Sequence, residues 1–333
     1  MCHWLDQQSV IVRAPAKLNF HLEVLGRRSD GFHDLETVMV KLALHDTLLM
    51  RTLDVRSAEG KTRIDFRCRY ASPFFQSNPA RPAPIPDDES NLVVRAARLL
   101  AETFTCSRGT SPPGTEITLI KRIPVEAGMG GGSSDAAAAL VGLNALWGLS
   151  LPTEKLEALA AELGSDVPFF INTHTAAICR GRGEQITPIP VRGNFSIILA
   201  QPGSGLSTPA VFRRWSEDHN TGTSRSVEPI QQALAEGKTS EVSHLLFNAL
   251  QAPAERLNSQ VSQITSLFRK LPLPGTLMTG SGSCCFGICH SFRQAASLSP
   301  RLAAARIARV CVTSLHHKRM HHGYHRSSYQ VNG

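Results

Sequence analysis

One stretch, Ile123 to Asp135, limits what this chain can fold into more than any other. Gly128, Gly130, Gly131 and Gly132 crowd its centre, followed by Ser133, Ser134 and Asp135. Before it runs Glu116 to Lys121, rich in β-branched residues; after it runs Ala136 to Trp147, rich in alanine. The order is strand, glycine loop, helix N-terminus. Glycines let backbone N–H groups approach a ligand, and the first helical turn adds free N–H groups and the positive end of the helix dipole. The stretch is therefore a candidate phosphate site for a nucleotide. No Lys-Ser/Thr pair follows the glycines, so it is not a Walker loop. G-x-G-x-x-G can be forced onto Gly128 and Gly130, but the β-α-β setting near an acidic residue is missing. Binding must rest on amides, the Ser133 and Ser134 hydroxyls and the helix end.

The chain has 333 residues, 42% of them hydrophobic, enough for two domains with substantial cores. No apolar run is long enough to span a bilayer, and Met1 to Ala16 shows no secretory signal. None of the eight cysteines forms a C-x-x-C pair, which suits reduced thiols in a cytoplasmic protein. The net charge of +8 is scattered and comes with no nucleic-acid motif. It serves a small anionic substrate equally well. Small-molecule partners are therefore expected, with neither nucleic acid nor membrane; oligomeric state is not legible.

From Leu18 to Val24 apolar residues alternate, as in a half-buried strand, with Lys17, Asn19, His21 and Glu23 on the other face. That face could line a polar site, but pattern alone favours a solvent-exposed one. A basic turn, Gly26 to Gly31, leads to Phe32 and His33, and Leu35 to Leu42 reads as a strand. Strands joined near Glu59-Gly60 cover Asp46 to Phe66, and prolines mark residues 71 to 90 as an extended loop. Helices are expected over Asn91 to Phe104, capped by Ser90, and over Thr153 to Leu163, capped by Thr153. Two more are expected over Ile230 to Leu250 and Ala254 to Phe268. Asp166 sits in a turn before Val167-Pro168-Phe169-Phe170, where an N-cap or turn role is common and partial burial would perturb its pKa. A second glycine turn, Thr279-Gly280-Ser281-Gly282-Ser283, precedes an apolar strand. Beyond Thr313 the chain reads as a flexible, basic, histidine-rich tail.

Three separated segments, Pro15-Ala16-Lys17-Leu18-Asn19, the loop from Gly128 to Asp135 and Thr279 to Ser283, resemble the signature motifs of the GHMP kinases. The resemblance covers roughly residues 10 to 310 in order. Gly26 to His33, Leu35-Glu36-Thr37 and Gly164 to Phe170 add a likeness to the branch that phosphorylates a cytidine-diphosphate-linked sugar alcohol. The resemblance implies an α+β, two-domain fold. A domain like the second domain of ribosomal protein S5 would span residues 1–175, and a ferredoxin-like domain 176–312, with the tail at 313–333.

The same resemblance implies ATP as co-substrate, an expected Mg²⁺ with ligands left unassigned, and a role for each matched residue. Asp166 would be the general base and Lys17 its neighbour, stabilising charge on the attacking oxygen and the transferred phosphoryl. Pro124, Val125, Glu126, Ala127, Gly128, Met129, Gly130, Gly131, Gly132, Ser133 and Ser134 would hold the ATP phosphates. Asn19 would bond the polyol hydroxyls, Phe32 would stack on the base, and His33 would read its edge. Gly280 and Ser281 would shape the cleft near the substrate phosphates. Phe32 departs from the usual tyrosine. Glu126 replaces a small residue and can point to solvent. Asp135 reads as a helix cap, with a Mg²⁺ ligand as the other reading. A mevalonate- or homoserine-type kinase is the alternative within the family, and a non-catalytic nucleotide-binding protein the alternative outside it.

Overall fold

The computed structural model describes residues 2–53, 62–71, 85–218 and 224–316. The turn expected near Glu59-Gly60, most of the proline-rich stretch and nearly all of the histidine-rich tail lie outside the described residues. Strands β1 (Cys2–Asp6), β2 (Ser9–Arg27), β3 (His33–Leu53) and β4 (Ile64–Tyr70) come first, then helix α1 (Leu92–Arg108). Strand β5 (Gly114–Lys121) enters the glycine loop, which opens into α2 (Gly131–Leu146), α3 (Thr153–Leu163) and the short α4 (Val167–Ile171). Next are β6 (Ala176–Gly181), β7 (Gln185–Ile189), β8 (Ser196–Pro202) and α5 (Thr208–Glu217). Then follow α6 (Glu228–Glu236), α7 (Thr239–His244), β9 (Phe247–Asn248), α8 (Gln251–Leu257) and α9 (Ser259–Arg269). Strands β10 (Gly275–Met278) and β11 (Cys285–Cys289), helix α10 (Phe292–Ala304) and β12 (Ala308–Ser314) complete the described chain.

Local chemistry explains where several elements begin and end. Asn91, not Ser90, caps α1: its Oδ1 accepts the Val93 N–H at 2.8 Å, while the Ser90 hydroxyl turns back to Asp88. Helix α3 follows Pro152 with no side-chain cap, so Thr153 does not fill that role. The long helix expected over Ile230 to Leu250 breaks at Gly237, whose left-handed backbone (φ +76°) closes α6; α7 and the two-residue strand β9 take the remainder.

The first sheet runs β1-β2-β3-β5-β4, with β6 and β7 added alongside β3 and β9 alongside β2. Strands β6 and β7 extend this sheet to Ile189, past the domain boundary expected at residue 175. The second sheet has the order β10-β11-β8-β12, all antiparallel. Helices connect β8 to β10 and β11 to β12, which gives the β-α-β-β-α-β arrangement of a ferredoxin-like unit.

Strand β2 joins the two halves. Its register with β3 shifts between Pro15 and Lys17. Before the shift, Val10, Val12 and Ala14 lie in a core with α1 and α2; after it, Ala16, Leu18 and Phe20 lie in a core with the second sheet. Phe20 stacks on Phe286 at 5.6 Å between ring centroids. A bulge turns a strand's faces over, so the same alternation serves two different cores. Lys17, Asn19, His21 and Glu23 are all buried rather than solvent-exposed. Among the described residues no helix is long and apolar enough to cross a membrane.

Candidate active site

The glycine loop is pinned from both halves of the molecule. The Lys17 N–H donates to the Met129 carbonyl at 3.0 Å, and the Cys284 N–H donates to the Ala127 carbonyl at 3.2 Å. Gly128 has φ +72°, and a Cβ there would lie 2.4 Å from the Thr279 carbonyl oxygen. Only glycine permits that backbone and that approach. Helix α2 begins with Gly130 as its cap and no side-chain acceptor, so its first N–H groups are not taken by a capping side chain. Val125 and Glu126 are exposed, as a solvent-facing Glu126 requires.

Asp135 neither caps the helix nor stands free. Lys121 Nζ lies 2.6 Å from Asp46 Oδ2 and 2.6 Å from Asp135 Oδ2, and all three side chains are buried. Asp46 Oδ1 accepts the backbone N–H groups of Arg122 and Ile123. One buried ion cluster therefore ties the strand entering the loop to the helix leaving it. Burial works against the Lys121 charge, but Asp135 and Asp46 together hold its pKa above the usual lysine value. Burial raises the Asp135 pKa well above the usual carboxylate range, with Lys121 opposing. Lys121 and Asp46 were not singled out by sequence reasoning. Lys121 ends a strand and Asp46 lies within one, and only the fold brings them together.

Lys17 is 4% exposed, and its Nζ lies 3.7 Å from Asp166 Oδ2. Asp166 caps α4 without a side-chain cap bond, which leaves its partly exposed carboxylate facing the cleft. Burial pulls the Lys17 pKa below the usual lysine value, and Asp166 pulls it back. Lys17 Nζ also donates to Asn19 Oδ1 at 2.6 Å. Asn19 is 1% exposed; its Nδ2 donates to Thr37 Oγ1 at 2.8 Å, and its backbone N–H donates to Thr279 Oγ1 at 3.0 Å. In this structure Asn19 thus orients Lys17. Asn248 Nδ2 donates to the Met278 and Gly280 carbonyls, fixing the second glycine turn, where Ser281 Oγ meets Thr208 Oγ1 at 2.7 Å. A Cβ at Gly280 would lie 3.3 Å from Lys17 Nζ.

These parts line one cleft of about 1020 Å³. Lys17, Asp166, Gly280 and Ser281 share it with the glycine loop; beyond the loop it continues past Ile85, Asn91, Leu92 and Lys121. Its other end is aromatic. The His33 ring stacks on Phe212 at 4.8 Å, meets Trp215 edge-on at 5.7 Å, and places Nε2 3.2 Å from Ser216 Oγ. Burial, helped by the charge of Arg27, lowers the His33 pKa and favours the neutral ring. Phe32 is 51% exposed and lines the cleft beside it. The structure thus brings Lys17, Asn19, Phe32, His33, Asp166, Gly280, Ser281 and the loop from Pro124 to Ser133 to one site, whereas the Ser134 side chain is buried in the start of α2 and does not line the cleft. Phe212 and Ser216 joined it unannounced, since the polar segment around them carries no motif. Among the described residues no group of three or more His, Cys, Asp or Glu side chains is placed to hold a metal ion.

Comparison with known proteins gives a consistent result. Residues 91–174 match the family model for the GHMP kinases N-terminal domain, and residues 230–307 match that for the GHMP kinases C-terminal domain. The 4-diphosphocytidyl-2-C-methyl-D-erythritol kinase of Nocardia farcinica is 40% identical over 309 residues, which is 92% of this chain and 93% of that one. The enzyme of the same name from Rhodococcus jostii is 38% identical over 90% of each chain. A crystal structure of 4-(cytidine 5'-diphospho)-2C-methyl-D-erythritol kinase superposes with a TM-score of 0.72 at 33% identity, covering 92% of this chain and 99% of the other.

Proposed function

The chain belongs to the GHMP kinases and, within them, to the 4-diphosphocytidyl-2-C-methyl-D-erythritol kinases, and on that premise we propose how its cleft carries out the reaction. The enzyme transfers the γ-phosphoryl group of ATP to the 2-hydroxyl of 4-diphosphocytidyl-2-C-methyl-D-erythritol, on the non-mevalonate route to isopentenyl diphosphate. Asp166 takes the hydroxyl proton, the oxygen attacks the γ-phosphorus, and ADP leaves. Lys17, oriented by Asn19, stabilises charge on the attacking oxygen and the transferred group. Phosphoryl transfer asks mainly for positioning and charge stabilisation, so the loop amides and the start of α2 act by placing the triphosphate. Phe32, His33 and Phe212 receive the cytosine, and Gly280 and Ser281 border the substrate's phosphates.

The observation that supports this reading best is the order of parts along the cleft: phosphate loop, then the Lys17–Asp166 pair, then an aromatic end with a neutral histidine. Mg²⁺ would arrive with the triphosphate. Asp135 lines the cleft, and its buried Oδ1 lacks a hydrogen-bond partner among the described residues. That oxygen is of the donor type Mg²⁺ takes, and the metal would neutralise phosphate charge there. The eight thiols are free, which suits work in the reducing cytoplasm.

The test is ADP release from the purified chain with ATP, Mg²⁺ and either the cytidyl substrate or mevalonate. Turnover is expected with the cytidyl substrate alone; turnover with mevalonate alone sinks the reading. Asp166→Asn should lower kcat by roughly two to four orders of magnitude and leave the melting curve unchanged.

A further inference from the structure

The turn between β6 and β7 carries a cation that the reading above leaves unused. Arg182 stands between Gly181 (φ +69°) and Gly183 (φ +118°). Glu184 folds its carboxylate back under this turn and accepts the Arg182 backbone N–H at 2.7 Å. The left-handed backbone at Gly181 (φ +69°) is the conformation that favours glycine in this tight turn. With the backbone fixed in this way, the Arg182 side chain lines the cleft. Its guanidinium carbon stands 5.0 Å from the centroid of the Phe32 ring. On the other side of the turn, a Cβ at Gly183 would lie 3.7 Å from Asp166 Oδ1. Arg182 is thus placed between the carboxylate assigned to the attacking hydroxyl and the ring assigned to the base.

The substrate of the proposed reaction has the same order of parts. Its polyol must reach Asp166, its cytosine must reach Phe32 and His33, and a diphosphate joins the two. A guanidinium presents five N–H donors in a planar fork that matches phosphate oxygens. The Arg182 guanidinium makes one long ion pair, Nε to Glu184 Oε2 at 4.0 Å, and no hydrogen bond among the described residues. A third of the side chain remains exposed to the cleft. Two other arginines line the cleft nearer its aromatic end: Arg27, whose charge acts on His33, and Arg213, next to Phe212 on α5.

We propose that Arg182, placed beside the Phe32 ring, binds the diphosphate of the cytidyl substrate. This rests on the substrate assignment made above.

The experiment uses the full-length enzyme, its Arg182→Gln and Arg182→Lys variants, and two competitive probes, CDP and cytidine. Glu184 holds the turn through the main-chain N–H, so neither substitution removes that bond. In Arg182→Gln, KM for the cytidyl substrate and the inhibition constant of CDP should both rise roughly 10- to 100-fold, the loss expected for a charged hydrogen-bonded contact. The inhibition constant of cytidine and KM for ATP should stay within about threefold, and Arg182→Lys should recover part of the CDP affinity. A purely structural role would weaken cytidine and CDP alike. Equal weakening, or no change in CDP affinity, overturns the proposal while leaving the reaction assignment standing. A wild-type enzyme that neither turns over the cytidyl substrate nor binds CDP overturns both.

Discussion

Replacing Lys121 by methionine is the sharpest test of how this phosphate loop is built. The ammonium stands 2.6 Å from each of two buried carboxylates, on Asp46 and Asp135. Methionine keeps the volume and removes the charge, which leaves two like charges close together with little water to solvate them. Removing one partner of a buried pair typically destabilises by about 3–5 kcal/mol. Here two carboxylates depend on one ammonium, so the upper part of that range is expected, a large share of the usual total of about 5–15 kcal/mol. Urea unfolding followed by circular dichroism reads the loss as a lower midpoint. Asp135→Asn should behave differently, because Asp46 still pairs with the Lys121 ammonium in that variant and no buried charge is orphaned. That single variant should cost less than about 1.5 kcal/mol. Combining Lys121→Met with Asp46→Asn and Asp135→Asn removes the orphaned charges and should recover most of the loss. The amide oxygen that Asp46→Asn leaves in place can still accept the Arg122 and Ile123 N–H groups. A Lys121→Met enzyme within about 1 kcal/mol of the parent, or a triple variant no better than the single one, refutes the charge argument.

Three further outcomes follow from the same geometry. Gly128→Ala puts a methyl group 2.4 Å from the Thr279 carbonyl oxygen at a positive φ, so the loop must move; KM for ATP should rise roughly tenfold or more, and an unchanged value in steady-state kinetics contradicts the packing described. Lys17→Met should lower kcat roughly 10²- to 10³-fold, with a melting midpoint close to the parent's because Asp166 remains partly solvated. Lys41 is buried under Phe169, and burial pulls its pKa down to about 7 from 10.5. Between those values the unfolded chain holds a proton that the native chain lacks, so Lys41 makes stability rise with pH from about 7 to 10.5 and fall as pH drops back through that range. At about 1.36 kcal/mol per pH unit the interval amounts to about 5 kcal/mol. Lys41→Met should flatten the urea midpoint against pH between about 7 and 9, below the range where Cys179, raised to about 12, adds its own opposite slope; a parent-like slope in the variant counts against it.

Strand β2 shows where sequence reading succeeds and where it stops. The alternation of Leu18, Phe20, Leu22 and Val24 located the strand and its buried apolar residues, because period two is a local property of the backbone. It did not show the register shift between Asn19 and His21 that sends Leu18 and Phe20 to one core and Leu22 and Val24 to another. The opposite face, Lys17, Asn19, His21 and Glu23, read as solvent-facing by the same rule. It is buried because distant segments cover it: the second glycine turn at Asn19, Phe247 against His21, and Arg225, whose N–H donates to Glu23. Burying a lysine and an amide is tolerable only when their hydrogen bonds are met. For Asn19 one of those partners is Thr279, 260 residues away, and no window along the chain contains both. The same holds for Asp135. A first-turn aspartate reads as a cap, and only the fold shows that its partner is Lys121, whose other carboxylate, Asp46, lies 75 residues earlier. Ser90 lost the α1 cap to Asn91 on a difference of one residue, settled by the bond Ser90 makes with Asp88. Motif resemblance pointed to Lys17 and Asp166 together because it carries the memory of such long-range pairings, and the fold sets them 3.7 Å apart. It was silent on Arg182 and Phe212, which had no matched motif, and their place in the cleft is a product of turn geometry and helix packing. What a sequence displays locally is therefore the frame of the site, whereas the charges that make it work are legible only once their distant partners are known.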